Sequence, residues 1–283
     1  MLVIMPASFA ATLSSLHGAD RLCVGIDPHS STLDAWGVLD SATGIEHFGR
    51  AVLDACLAEG VSVVKPQVAL FERHGVAGMS ALSALIGSAR ESGVLVISDV
   101  KRGDIGTSLA GYADAWLGEG SDFESDAMTA VAYQGVGSLE PAFSLAARNN
   151  KGVFVLGATS NAEGWMVQSA RTTDGTSVAG HVVAEMAERS TRAPHSEPGW
   201  LGVVVGATVN REHLGLDEES FEGLSLLVPG FGAQGVGLGE LREKFGRLAP
   251  SVIPTVSRSV AGDDRAGLQS RLRAHQEQVN ALW

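Results

Sequence analysis

The sequence predicts a single closed (β/α)8 barrel of the TIM type, with residues 1–283 forming one domain. Three observations lead there. Eight short runs rich in apolar and β-branched residues recur along the chain, segments with helical patterning separate them, and no GxGxxG follows the first run as an open dinucleotide-binding sheet would require. Strands alternating with helices imply right-handed βαβ units and a parallel sheet. The runs are near-continuous rather than alternating, as expected for strands covered on both faces.

Taken in order, the N-terminal MLVIMPASFAATL has no basic residue ahead of its apolar stretch and is interrupted at Pro6, so it reads as a leader into a first helix rather than a secretory signal. The predicted strands are RLCVGID (21–27), VSVVKPQ (61–67), VLVISDVK (94–101), AMTAVAY (127–133), GVFVLGATS (152–160), LGVVVGAT (201–208), LSLLVPG (224–230) and SVIPTVSR (251–258). GIEHFGRAVLDACLAEG, GMSALSALIGSARESG and LEPAFSLAARNN carry helical spacing between them. The stretch 160–200 is long for one βα connection and starts polar, which predicts a loop over the barrel mouth and a helix around 177–190. The C-terminal DDRAGLQSRLRAHQEQVNALW reads as an amphipathic last helix that packs on the barrel.

Hydrophobic residues make up 45% of the chain and charged residues 18%, enough apolar material for a large core. Lys and Arg number 20 against 32 Asp and Glu, a net charge of -12, and no basic block is long enough to track a phosphate backbone. Nucleic acid is thereby disfavoured as a partner. An anionic small molecule would need a few cations focused in one cleft. No apolar run reaches the roughly 18 residues of a membrane span, so no membrane partner is expected. Cys23 and Cys56 form no CxxC pair and lie in apolar runs, which predicts buried free thiols, no metal site, and a reducing cytoplasmic setting.

Barrel sites are built at the C-terminal ends of the strands, so polar residues that end apolar runs carry the functional signal. Asp27 ends the first run, Lys65 and Gln67 the second, Asp99 and Lys101 the third, Thr159 and Ser160 the fifth, and Arg258 the eighth. Each has a plain alternative. Asp27 before Pro28 could begin a turn, Lys65 could snorkel to the rim, and Ser160 could cap the next segment. Arg258 could pair with Asp263 or Asp264, and Asp104 could cap a helix that has Thr107 and Ser108 in its first turns. Convergence of so many ionisable groups on one end of one barrel favours a site.

Asp99 and Lys101 are two apart on a strand and share a face, while Asp104 lies beyond it. An inward Asp99 needs Lys65 and Lys101 to neutralise it. Such an array keeps the lysines protonated and the aspartates ionised. It suits a reaction that expels an anionic group and then protonates the carbanion left behind. VPGFGAQGVG (228–237) places glycines around Pro229 and Gln234, and Arg258 follows at the next strand end. Loops after strands seven and eight of barrels commonly bind phosphate through backbone N–H groups, with a cation completing the match.

These residues resemble the orotidine 5'-monophosphate decarboxylase family: DVKRGD fits its DxKxxD signature, and GIDP, KPQVALFERHG, KRGDIG, GATS, VPGFGAQG and SRS follow its order through nearly the whole chain. KPQVALFERHG and KRGDIG are similar to the bacterial branch of longer chains. The resemblance implies cofactor-free, metal-free conversion of orotidine 5'-monophosphate to uridine 5'-monophosphate and carbon dioxide, a step of pyrimidine biosynthesis. Lys65, Asp99, Lys101 and Asp104 would form a catalytic tetrad, with Asp104 contributed by the other subunit of a homodimer and Lys101 protonating C6. Asp27 and Lys65 would bind ribose, Ser160 the pyrimidine, and Gln234 and Arg258 the phosphate, with Pro229 beginning the loop over it. Ser108 matches by spacing a hydroxyl that reaches the partner's ribose site, with Thr107 adjacent to it. His29 and His74 are read as rim residues. Two alternatives stand beside this: a metal-dependent keto-sugar-phosphate decarboxylase of the same superfamily, and a non-catalytic barrel that binds nucleotide.

Overall fold

The computed structural model describes residues 7–192, 199–233 and 235–283. Of the expectations above, Gln234 and the first six residues of the leader lie outside the described residues. Eight parallel strands close into a barrel in sequence order: β1 (Cys23–Ile26), β2 (Val63–Pro66), β3 (Leu95–Arg102), β4 (Ala127–Ala130), β5 (Gly152–Ala158), β6 (Leu201–Val205), β7 (Ser225–Pro229) and β8 (Val252–Val256). β8 closes on β1 through Cys23↔Thr255 and Val24↔Val256. Seven of the strands fall within a predicted run, and β3 begins inside its run and extends one residue beyond it, to Arg102.

Two apolar clusters explain why the barrel is a core rather than a pore. The larger lies between strands and outer helices, where Ala42–Ala58 and Gly75–Glu91 bury residues such as Ile45, Phe48, Leu82 and Ile86. The smaller fills the barrel itself with Cys23, Val63, Leu95, Ile97, Ala127, Phe154, Leu227 and Ile253. Helix Phe9–Ser15, capped by Ser8 Oγ accepting Ala11 N–H at 3.0 Å, plugs the lower end. Phe9 meets Phe154 edge to face, with centroids 6.0 Å apart. A Cβ at Gly152 would stand 2.6 Å from the Phe9 ring, so the plug seats only against a glycine. Burying a phenylalanine of this kind stabilises by about 2–3 kcal/mol. With the lower end filled, the mouth at the strand C-termini is the open end.

The 160–200 stretch contains a short helix Gly164–Gln168 and a longer one, Val178–Arg192, where a helix was expected. The last helix, Leu268–Asn280, buries Leu268, Leu272 and Val279, and Asn280 Oδ1 accepts Ala19 N–H at 2.9 Å. Among the described residues no helix is long and apolar enough to cross a membrane.

Candidate active site

Strand parity builds the site. Cys23, Val63, Ile97, Ala127, Leu227 and Ile253 belong to the inner apolar layer. Two residues further along each strand, the same inward face carries Gly25, Lys65, Asp99, Thr129, Pro229 and Thr255. The layer thus changes from apolar to ionic in one step. Above it opens a cavity of about 260 Å3 lined by Asp27, Lys65, Asp99 and Lys101 on one side and by Ser160, Pro229 and Arg258 on the other.

Asp99 is the hub. It is buried, and its Oδ2 accepts from Lys65 Nζ at 2.8 Å while Oδ1 accepts from Lys101 Nζ at 2.6 Å and Thr129 Oγ1 at 2.8 Å. The Gln67 amide, oriented so that its nitrogen faces the carboxylate, donates to Oδ2 at 2.7 Å and accepts from Lys101 Nζ at 3.2 Å. Four donors therefore satisfy one buried carboxylate.

The charges set each other's protonation. Burial pushes the Asp99 carboxyl up, but the charges of Lys65 and Lys101 and their hydrogen bonds outweigh it and hold it well below the usual carboxylate range. Burial pulls the Lys65 ammonium down, yet Asp99 and Asp27 more than offset this and keep it above an ordinary lysine. For Lys101 burial wins, aided by the Lys65 charge, and its ammonium lies below the ordinary lysine value. Lys65 is thus the fixed charge and Lys101 the better acid. Burial also pushes both Cys23 and Cys56 up to about 12, so neither thiol is a nucleophile near neutral pH.

Regular alternation would place Asp99 and Lys101 on one face of an unbroken strand. Their side chains do meet, but the β3–β4 register shifts between Ser98 and Arg102, and Lys101 adopts φ 48°. A left-handed conformation costs a residue with a Cβ about 1–2 kcal/mol. Here the ammonium folds back onto the carboxylate two residues earlier.

Asp27 stands beside this cluster, at the end of β1. Its Oδ2 accepts from Ser257 Oγ, while its Oδ1 is buried and has no hydrogen-bond partner among the described residues. A Cβ at Gly25 would come within 2.7 Å of Ser257 Cβ, so the glycine admits this pairing. Arg258 is exposed and makes no ion pair among the described residues; Asp264, one of its expected partners, pairs with Arg271 instead. The glycine-rich loop before it folds on a bridge between Phe231 and Val236, with Gly230 at φ 110° and Gly232 at φ 75°. Ser160 is exposed at the lip, and the residue preceding helix Gly164–Gln168 is Glu163, so Ser160 does not cap it.

Not all the expected residues meet. Asp104 lies outside the cavity, where its Oδ1 accepts the N–H of Ile105 at 2.8 Å. It does not cap the following helix Gly106–Leu117, whose N-cap is Ile105. Thr107 and Ser108 are exposed on that helix and also lie outside the cavity. His29 lines the cavity, but His74 does not: its Nε2 lies 3.1 Å from Asp40 Oδ1, and Arg73 beside it grips Asp40 and donates to the Pro28 carbonyl at 3.1 Å. Glu72 pairs with Arg102. The ERH triplet thus ties the turn after β1 and the end of β3 to the segment after β2. Thr129 and Ser257 are contacts that strand-end reading missed. Thr129 lies inside a run rather than at its end, and its inward parity was the available signal.

Residues 20–269 match the family model described as the orotidine 5'-phosphate decarboxylase / HUMPS family. The chain is 46% identical over 265 residues to an orotidine 5'-phosphate decarboxylase of Salinispora tropica, covering 93% of each chain. It is 46% identical over 245 residues to that of Corynebacterium efficiens, covering 85% of this chain and 84% of the relative. A crystal structure from Streptomyces avermitilis, provisionally assigned to the same enzyme, superposes with a TM-score of 0.88 at 42% identity and covers 97% of this chain and 95% of that one.

Proposed function

The chain belongs to the orotidine 5'-phosphate decarboxylase / HUMPS family, and we propose that it converts orotidine 5'-monophosphate to uridine 5'-monophosphate and carbon dioxide. We place this step in cytoplasmic pyrimidine biosynthesis, with residues 1–283 acting as one domain. The observation that carries the reading is the ionic layer itself, with Asp99 held by Lys65 at 2.8 Å and by Lys101 at 2.6 Å at the floor of the cavity.

In the proposed reaction the bond from C6 to its carboxylate breaks, the electron pair stays on C6, and carbon dioxide leaves. The Lys101 ammonium then gives a proton to C6 and regains one from solvent. Asp99 lies near the departing carboxylate. Two like charges about 4 Å apart at an effective dielectric of about 20 repel by about 4 kcal/mol. Full relief of that repulsion is worth about a thousandfold in rate, whereas enzymes supply roughly 8–23 kcal/mol. The larger share therefore falls to stabilisation of the developing C6 charge by Lys101 and its neighbours, with phosphate binding energy helping to close the site.

Asp27 and Lys65 bind ribose, and the Oδ1 of Asp27, which has no partner among the described residues, is an acceptor suited to a sugar hydroxyl. Arg258 holds phosphate with Gln234 and the loop from Pro229, and Ser160 contacts the pyrimidine. Asp104 and Ser108 act across a homodimer, in the site of the partner subunit; their position outside their own chain's cavity supports this. A metal-assisted reaction on a keto-sugar phosphate is disfavoured because the Lys65 ammonium occupies the flank of Asp99 where a divalent cation would need room.

The test is the ultraviolet absorbance of orotidine 5'-monophosphate incubated with the protein in excess chelator. Conversion is expected. A folded protein that leaves this substrate unchanged, but decarboxylates a keto-sugar phosphate when magnesium is supplied, would reverse the assignment.

A further inference from the structure

Resting on the reading of Lys101 as the proton donor, we propose that Thr129 is a positioning residue whose single hydroxyl fixes both the backbone of Lys101 and the carboxylate of Asp99. The requirement begins in the sheet. β3 and β4 pair through Ser98↔Met128 and resume at Arg102↔Ala130, so four steps along β3 are matched by two along β4. Thr129 is the β4 residue between those pairs. The Lys101 N–H donates to Thr129 Oγ1 at 2.9 Å, taking a side-chain oxygen in place of a β4 carbonyl.

The direction of the second bond is then forced. A backbone N–H can only donate and an ionised carboxylate can only accept, so the one hydroxyl proton of Thr129 points at Asp99 Oδ1, 2.8 Å away. The same Oδ1 receives Lys101 Nζ at 2.6 Å. The contacts close a ring: Lys101 N–H to Thr129, Thr129 to Asp99, and the Lys101 ammonium back to Asp99. That ring holds the ammonium at a fixed place relative to its own backbone, which sits at φ 48°.

Thr129 is 1% exposed and does not line the cavity, so it acts through these two residues. Its branched Cβ restricts χ1, which keeps the hydroxyl aimed without a further partner. Thr129→Val preserves the shape and removes both bonds. Thr129→Ser preserves both bonds and removes a methyl group.

The experiment compares the two variants with the wild type in orotidine 5'-monophosphate turnover and in amide hydrogen exchange at Lys101. For Thr129→Val the expected result is kcat lower by about 10- to 100-fold, KM within about threefold, and faster exchange of the Lys101 amide. For Thr129→Ser both readouts return to near the wild-type values. A merely structural role would instead track the lost methyl group and leave the Lys101 amide protected. Thr129→Val with kcat within about twofold of wild type, or Thr129→Ser as slow as Thr129→Val, would overturn the assignment. If Thr129→Val does not fold, Thr129→Ala carries the same readouts. A wild type without turnover would overturn the functional reading, and the exchange rate alone would then decide for or against Thr129.

Discussion

Lys101 and Asp104 are three residues apart in sequence and occupy opposite situations. Lys101 is drawn into a saturated cluster with Asp99, Lys65, Gln67 and Thr129. Asp104 stands outside the cavity with one local bond to the next amide. The two positions separate what the barrel organises by itself from what the proposed second copy would complete. The proposed donor, its counter-charge and their supports are organised within one barrel, whereas Asp104, Thr107 and Ser108 lie outside its cavity, the positions that the proposed homodimer would use.

The largest effect is expected at the organised end. Lys101→Ala should lower kcat by at least about 10³-fold, since it removes the proposed proton source and, with it, the proposed main charge facing C6. Affinity for uridine 5'-monophosphate, measured by calorimetry, should change far less. Asp104→Ala should approach the same loss although Asp104 touches nothing in its own cavity. A change within about twofold would reduce Asp104 to a loop residue and break the contrast.

A smaller effect is expected at the opposite lip. Arg258→Ala removes an exposed cation that makes no ion pair among the described residues, and a hydrogen bond to a charged group is worth about 1.5–3 kcal/mol. The loss in kcat/KM should be about 10- to 100-fold and should lie mainly in KM, with weaker competition by inorganic phosphate. An equal loss in kcat alone would place Arg258 with the reacting cluster.

As the proposed proton donor Lys101 must be protonated to act, and its value lies below the ordinary 10.5, so the rate should fall on the alkaline side before an ordinary lysine would titrate. The folded-state value of Asp99 is depressed. Its contribution to stability is therefore present above the unfolded value of about 3.9 and is lost as pH falls through the lower folded value. Asp40, held at about 2 by its hydrogen bonds to Arg73 and Ser30, follows the same sign in the window between about 4 and 2. Thermal unfolding followed from pH 7 to 5 should show little change from either group; a gain in stability on acidification across that window would mean that Asp99 takes up a proton in the fold.

Much of this was legible in the sequence, and for definite reasons. A strand buried on both faces leaves a continuous apolar run, so all eight strands could be read; strand-end position placed Asp27, Lys65, Gln67, Asp99, Lys101, Thr159, Ser160 and Arg258 around one mouth, and the glycine-rich loop added Pro229. Other features depend on partners far away in the chain. The φ of 48° at Lys101 reflects a register break against β4, and a run of β3 residues carries no mark of its neighbour's spacing. Thr129 looks like any inward threonine until the Lys101 amide is found on it. His74 follows a motif yet turns to Asp40, which lies in the segment after β1.

The central claim is that the cluster around Asp99 becomes a working site only with Asp104 from a second copy. The most direct measurement mixes Lys101→Ala and Asp104→Ala proteins, each inactive alone, under conditions where subunit exchange is verified, and follows the absorbance of orotidine 5'-monophosphate. Each heterodimer rebuilds one intact site, so random exchange should restore about a quarter of the wild-type rate. No recovery despite proven exchange would contradict the account and confine each site to one chain.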